Sequence, residues 1–330
     1  MARLRSVPED FCVDEIPLYR PSGHGEHTYL HVEKRERTTE DVAHVLARYA
    51  GARVRDVGYA GRKDRVALTT QWFSVPGLDP ERARELALPG VRVLDAIRHA
   101  HKLRTGHLRG NRFRIFVRDV AEQQLETAAR RLERIRRIGM PNRFGAQRFG
   151  RDGGNADRGR RLLHGEGSRD DRRQARFLLS ALQAAVFNAV LEDRQAPLDA
   201  VEVGEVAMVC ASGGCFVVED LAREAARAAA FEISATGPIF GTRVLEPLGE
   251  AGERERRALE RFDVPTGALR VPRGIRLRGA RRALRVRPGS ATLEPRDDGL
   301  LLRFSLPPGS YATVLIEELL ELREQAIRHG

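Results

Sequence analysis

The chain has 330 residues, more than one small core usually fills, so two lobes are expected. Its apolar share of 42% and charged share of 31% leave room for a packed interior and argue against wholesale disorder. The formal net charge of +11 points to a polyanionic partner, because phosphates are readily neutralised by a surface already rich in cations.

The chain opens Met-Ala-Arg-Leu-Arg and then Pro-Glu-Asp, with no apolar h-region, so no secretory signal is read and a cytoplasmic location is expected. Phe11 to Ile16 and Thr28 to Val32 alternate around the turn-rich Pro21-Ser22-Gly23-His24-Gly25, which predicts a strand pair. Thr38 and Asp41 have the spacing of a capping box. Val42, Val45, Leu46 and Tyr49 follow at helical intervals and Gly51 stops the run, so a helix is predicted. Residues 54–60 and 71–75 read as strands that flank the loop Gly61-Arg62-Lys63-Asp64-Arg65. Further strands are expected at 91–98 and 112–117, then an amphipathic helix over 121–137.

A glycine-rich turn spans 150–155, and the change of texture between 139 and 155 suggests a boundary. Residues 175–192 read as a helix. Its most apolar stretch, Leu178 to Leu191, is interrupted by Gln183 and Asn188, which argues against a membrane span. Short strands are expected over 201–218, a surface helix over 222–231 and another helix over 250–262. Leu300 to Leu306 predicts a buried strand, Pro307-Pro308-Gly309 a turn and 311–328 a last helix, so the end of the chain resembles its beginning.

Three stretches concentrate the positive charge. Residues 98–114 hold six arginines or lysines and no acid, 130–151 eight arginines against Glu133, and 270–287 eight arginines and no acid. Each alone could be a solvated face; together they favour nucleic acid. Only Lys34, Lys63 and Lys102 are lysines among 57 cationic side chains, and an ammonium does different work from a guanidinium. Cys12, Cys210 and Cys215 lack CxxC spacing and read as free thiols. His24, His27 and His31 fall on a turn and a strand rather than one helical face, so no metal site is expected. Gly150, Gly153 and Gly154 lack the residues of a phosphate-binding loop, and the hydrolase and kinase motifs are absent from the sequence.

Two features carry chemistry. Asp64 lies in a turn with Arg62, Lys63 and Arg65 beside it, and such neighbours favour the ionised carboxylate, a competent nucleophile or general base. A salt-bridged turn residue is the plainer alternative. Asn111 and Phe113 lie two residues apart on a predicted strand, which puts an amide and a ring on one side at the end of a basic loop. A ring among cations can stack a nucleobase; a core phenylalanine is the competing reading.

Pro8-Glu9-Asp10-Phe11 with Val13-Asp14-Glu15, and Gly58-Tyr59-Ala60-Gly61-Arg62-Lys63-Asp64-Arg65 with Thr70-Gln71, closely resemble the tRNA pseudouridine synthase D (TruD) family. The resemblance continues through Lys102 to Phe113, Pro141 to Gly150 and Pro308 to Thr313, so it covers most of the chain. It implies an α+β fold: a pseudouridine-synthase catalytic domain with a mixed, largely antiparallel sheet, formed by 1–138 and 285–330, interrupted by a family-specific α+β domain at 139–284. It also implies a cofactor-free isomerase, with no metal, acting on tRNA uridine at position 13 of the D arm in a basic interdomain cleft. Neither a membrane nor an obligatory protein partner is expected. Asp64 falls on the family's nucleophile, which would attack C1′ or assist proton removal at C2′. Phe113 falls on the base-stacking aromatic, Asn111 on its amide partner and Phe11 on a pocket-lining ring. Tyr311 stands where the family commonly has Phe, and Arg5 where a basic residue, often Lys, pairs with the aspartate. Lys63 is expected to add local positive potential. An RNA-binding module without chemistry is the second reading, since it needs the basic stripes and the rings but not Asp64.

Overall fold

Period-two alternation of apolar side chains builds one large sheet from the two ends of the chain. The computed structural model describes residues 2–166, 171–265, 271 and 274–321. They fall into two units, one of Met1–Leu132, Pro288–Gly309 and Leu319–Gly330, the other of Glu133–Arg287 and Ser310–Glu318.

The first unit begins with β1 (Arg3–Leu4), β2 (Phe11–Pro17), β3 (His27–Arg35), α1 (Thr39–Ala50), β4 (Gly58–Tyr59) and β5 (Leu68–Pro76). It continues through α2 (Pro80–Arg84), β6 (Ala87–Leu88), β7 (Val91–His99) and β8 (Leu108–Arg118) into α3 (Glu122–Ile138). The capping box forms as expected: Asp41 N–H donates to the Thr38 hydroxyl, the Asp41 carboxylate accepts from Thr38 N–H, and Gly51 closes α1 at φ 67°. Helix α1 buries Val42, Ala43, Leu46 and Ala47 against Leu30, Val32, Phe73 and Val75 of the sheet. Truncating one such leucine to alanine typically costs about 2–5 kcal/mol.

Two expectations fail here. β2 and β3 do not pair with each other; β5 lies between them, parallel to β2 and antiparallel to β3. The connection over 18–26 is longer than a tight hairpin allows, and the gap admits a strand from further along the chain. Residues 54–60 are not one strand either. Val54–Asp56 is a 3₁₀ turn closed by Asp56 N–H on Arg53 O and an Arg53–Asp56 ion pair, and only Gly58–Tyr59 is extended.

The second unit contains β9 (Met140–Pro141), α4 (Asn155–Leu163), α5 (Arg172–Asp193), β10 (Val206–Val209), β11 (Cys215–Val217) and α6 (Leu221–Ala229). Then come β12 (Ile233–Ile239), α7 (Gly249–Arg261), β13 (Ala280–Ala283) and β14 (Arg285–Val286). Its sheet runs β11-β10-β12-β13, with β14 pairing β9 separately. Among the described residues α5 is the one helix whose length and composition would suit a membrane, yet most of its apolar run is buried. Gln183 donates to Phe240 O at 2.6 Å, and Asn188 exchanges bonds with the Phe144 main chain at 2.9 and 3.0 Å, so both interrupting polar groups are satisfied internally. α4 was not anticipated from the sequence; it packs on α5 through Gly159, where a Cβ would collide with Leu178 O.

The chain ends with β15 (Gly289–Arg296), β16 (Gly299–Leu306) and α8 (Ala312–Leu320); the last helix was expected to reach 328, and residues beyond 321 lie outside those described. β16 pairs with β8, giving the order β15-β16-β8-β2-β5-β3-β7-β6, with β1 on β8 and β4 on β5. Among the described residues β2 with β5 is the one parallel pair of this sheet, so it is mixed and largely antiparallel.

Candidate active site

Register decides which side chains share a face. Phe11, Val13 and Glu15 of β2 stand opposite Ile115, Phe113 and Asn111 of β8, which in turn face Leu302, Phe304 and Leu306 of β16. On β5 and β3 the same phase carries Gln71, Phe73, Leu30, Val32 and Lys34. Candidate residues Phe11, Asn111 and Phe113 are thus brought to the face that also holds α1.

Asp64 belongs to the loop between β4 and β5, and its side chain remains 43% exposed. Its carboxylate accepts from Arg5 Nη2 at 3.1 Å. The Arg5 guanidinium lies 4.2 Å over the Phe11 ring, whose edge meets Phe113 at 6.4 Å between centroids. Phe113 stacks on Phe304 at 5.1 Å and keeps only 7% of its surface open. Acid, cation and rings therefore form one contiguous series. Arg5 adopts φ 60°, a left-handed conformation that costs a non-glycine residue about 1–2 kcal/mol. Two polar atoms here, Arg5 Nε and Asn111 Oδ1, are buried without a hydrogen-bond partner among the described residues. A buried polar atom of this kind calls for a partner, supplied by an ordered water or by a ligand group.

The three cations beside Asp64 in sequence are turned elsewhere. Arg62 pairs with Glu40, Arg65 donates to Glu36 O, and Lys63 is buried against Glu15 at 2.7 Å, with side-chain exposures of 6% and 1%. Lys63 therefore adds a neutralised pair rather than free positive potential. The loop is also held from below by residues that the sequence reading missed. Lys34 Nζ donates to Asp64 O and to Arg37 O, both at 2.7 Å. Thr39 Oγ1 accepts from Lys63 N at 2.9 Å and donates to Gln71 Oε1 at 2.8 Å, while Gln71 Nε2 donates to Gly61 O at 3.2 Å. Burial pushes the Lys34 ammonium down from its ordinary range to about 8. A signal existed: Glu15, Lys34 and Gln71 all fall on the apolar phase of their strands, where a polar residue needs a reason.

Tyr311 lies in the second unit. Its hydroxyl accepts from Arg148 Nε at 3.1 Å, and its ring meets Phe144 edge-on at 5.9 Å. Arg282 lies 4.2 Å over Phe144 and donates to both oxygens of Asn142, and burial pushes its guanidinium down to about 10. Arg281 and Arg285 of the basic stretch 270–287 are likewise structural. Arg281 pairs with buried Glu255, and Arg285 donates to the carbonyls of Ile138, Ala228 and Ile233 while stacking on Phe231. No group of three or more histidines, cysteines or acids suited to a metal occurs among the described residues.

A family model described as tRNA pseudouridine synthase D (TruD) matches residues 1–169 and 171–319. A curated protein named tRNA pseudouridine synthase D from Anaeromyxobacter dehalogenans is 48% identical over 327 residues, covering 96% of this chain and 92% of its own. The protein of that name from Thermus thermophilus is 42% identical over 329 residues, covering 99% and 90%. A crystal structure from Methanosarcina mazei, described as a TruD-type synthase, superposes with a TM-score of 0.75 at 20% identity, covering 99% of this chain and 95% of its own, and shows the same fold. With motifs, register and full-length relatives in agreement, this chain belongs to the tRNA pseudouridine synthase D (TruD) family.

Proposed function

We propose that this chain isomerises uridine to pseudouridine in tRNA, with Asp64 as nucleophile and uridine 13 of the D arm as the target that its family resemblance implies. The observation that carries the reading is the setting of Asp64, an open carboxylate on an anchored loop, in contact with Arg5 and linked through it to Phe11 and Phe113. The target base has to leave its stack to reach such a group. A carboxylate oxygen bonds to C1′ as the C1′–N1 bond breaks and N1 keeps the electron pair. The freed uracil turns, C5 bonds to C1′ and releases the carboxylate, C5 gives its proton to solvent, and N1 takes one up, which restores the neutral isomer.

Each remaining residue has a place in this scheme. The orphaned Asn111 Oδ1 accepts the imide N–H of the uracil, and Arg5 Nε donates to one of its carbonyls. Phe11 and Phe113 form the apolar wall that retains the loose base, a contact worth about 1–3 kcal/mol per base. Lys63 acts through the loop. Tyr311 enters through the resemblance alone; it belongs to the second unit, where its hydroxyl is engaged by Arg148. On the family resemblance we take 1–138 with 285–330 as the catalytic domain and 139–284 as the family-specific insertion, although contacts group 133–138, 285–287 and 310–318 with the second unit. No cofactor takes part in the scheme.

The test is tritium release from tRNA labelled at C5 of uridine. Asp64→Asn should lose roughly 10³-fold or more in turnover while tRNA affinity stays within about threefold. Full turnover by Asp64→Asn would overturn the assignment of the nucleophile. Binding by the unaltered protein with no release under any condition would leave an RNA-binding module.

A further inference from the structure

Loop 61–64 is open to water, so its main-chain groups could be satisfied by solvent. Instead, buried side chains from three separate elements reach them: Lys34 of β3 holds Asp64 O, Thr39 of α1 holds Lys63 N, and Gln71 of β5 holds Gly61 O. Thr39 and Gln71 are joined to each other, which closes a circuit from Lys63 N–H through hydroxyl and amide to Gly61 O. A fourth element, β2, anchors the Lys63 side chain through Glu15, whose other oxygen accepts from Trp72 N.

The energetics make Lys34 the most informative member. Burying an ammonium costs several kcal/mol unless strong partners compensate, and both acceptors on Nζ are neutral carbonyls. Its strand neighbours on the same face are Leu30 and Val32, both fully buried, and an apolar side chain of similar length would suit those surroundings better. The compensation for its burial comes from these two carbonyls and from the nearby charges of Asp64, Asp41 and Glu40. Lys34 also ties the peptide carbonyl of Asp64 itself to the end of β3.

We infer that Lys34, Thr39 and Gln71 are positioning residues for Asp64: together they fix the main chain of loop 61–64, so that the carboxylate stays open to substrate yet has one orientation. This rests on the reading of Asp64 as nucleophile. Displacing a reacting group by about 1 Å can cost about 10²-fold in rate without touching binding. The three residues should therefore affect turnover and leave recognition alone.

The experiment measures kcat and KM for tRNA, tRNA affinity and the melting temperature for Lys34→Met, Thr39→Val, Thr39→Ser and Asp64→Asn, assayed well below each melting point. Lys34→Met and Thr39→Val should lose about 30- to 100-fold in kcat with KM and affinity within about threefold. Thr39→Ser, which restores the hydroxyl, should recover most of the turnover that Thr39→Val loses. If Lys34→Met and Thr39→Val keep full kcat while Asp64→Asn is inactive, the inference fails and the nucleophile stands. A joint loss of kcat and affinity that tracks melting would mean structural support only, which also overturns it. Turnover by Asp64→Asn would remove the reading on which it rests.

Discussion

Lys34 titrates in the fold near 8 against an ordinary 10.5, with burial the main cause and the charges of Asp64, Lys63, Asp41 and Glu40 around it. Between those values the unfolded chain holds a proton that the fold has released, so this group's contribution to stability rises with pH; below 8 its burial penalty is present in full. Denaturant unfolding of the unaltered protein and of Lys34→Met should therefore converge. The unaltered protein gains roughly 2 kcal/mol on the variant between pH 7 and pH 9.5. A difference that stays flat with pH would show that the ammonium is not desolvated. Asp64 illustrates how far single residues could be read from sequence. Its loop follows from the local motif, whereas the charge that meets it follows only from the family resemblance, which pairs Arg5 with the aspartate, and not from its neighbours in the chain. Chain neighbours Arg62, Lys63 and Arg65 each find other partners, and the contact comes from Arg5, 59 positions away. Only the paired strands bring that distance to 3.1 Å.

β8 carries Asn111 and Phe113, and its close approach to β16 depends on Gly110. A Cβ there would lie 2.5 Å from Leu306 O, a main-chain atom that cannot move without dragging the end of β16. Gly110→Ala should cost about 1–3 kcal/mol and lower turnover as well, because Phe304 and Phe113 share that register. Gly51→Ala, at φ 67° with nothing within 4 Å of the added carbon, should cost only about 1 kcal/mol and leave turnover unchanged. Urea titrations with parallel tritium-release assays would separate the two. Elements with strong local chemistry were readable: α1 by its cap and its glycine, β16 by its apolar run. β15 was not, since its Gly-Ser-Ala-Thr-Leu-Glu-Pro-Arg has the mixed polarity and the proline of an edge strand. Nor was the neighbour of β2, because pairing across the sheet is set by which strand fits the gap, a property that no single segment encodes.

Total charge was plain from composition; its deployment was not. Arg281, Arg282 and Arg285 point into the second unit, so the stretch 270–287 offers fewer phosphate contacts than its eight arginines suggest. The net +11 still predicts a salt-dependent grip. Affinity for tRNA should fall by about 10²-fold between 50 and 200 mM salt, less than the ~10³–10⁵ of proteins making six to ten phosphate contacts, and equally for Asp64→Asn. A salt-independent affinity in a filter-binding titration would contradict this. The pairing of β8 with β16 reaches further than catalysis. Residues 111–118 can hydrogen-bond 299–306 only after position 306 has left the ribosome. Until then the strand bearing Phe113 has a raw margin during synthesis, the kind of surface that recruits chaperones or sticks to a neighbouring nascent chain. A premature stop anywhere before β16 would thus yield aggregation-prone product rather than a slow enzyme.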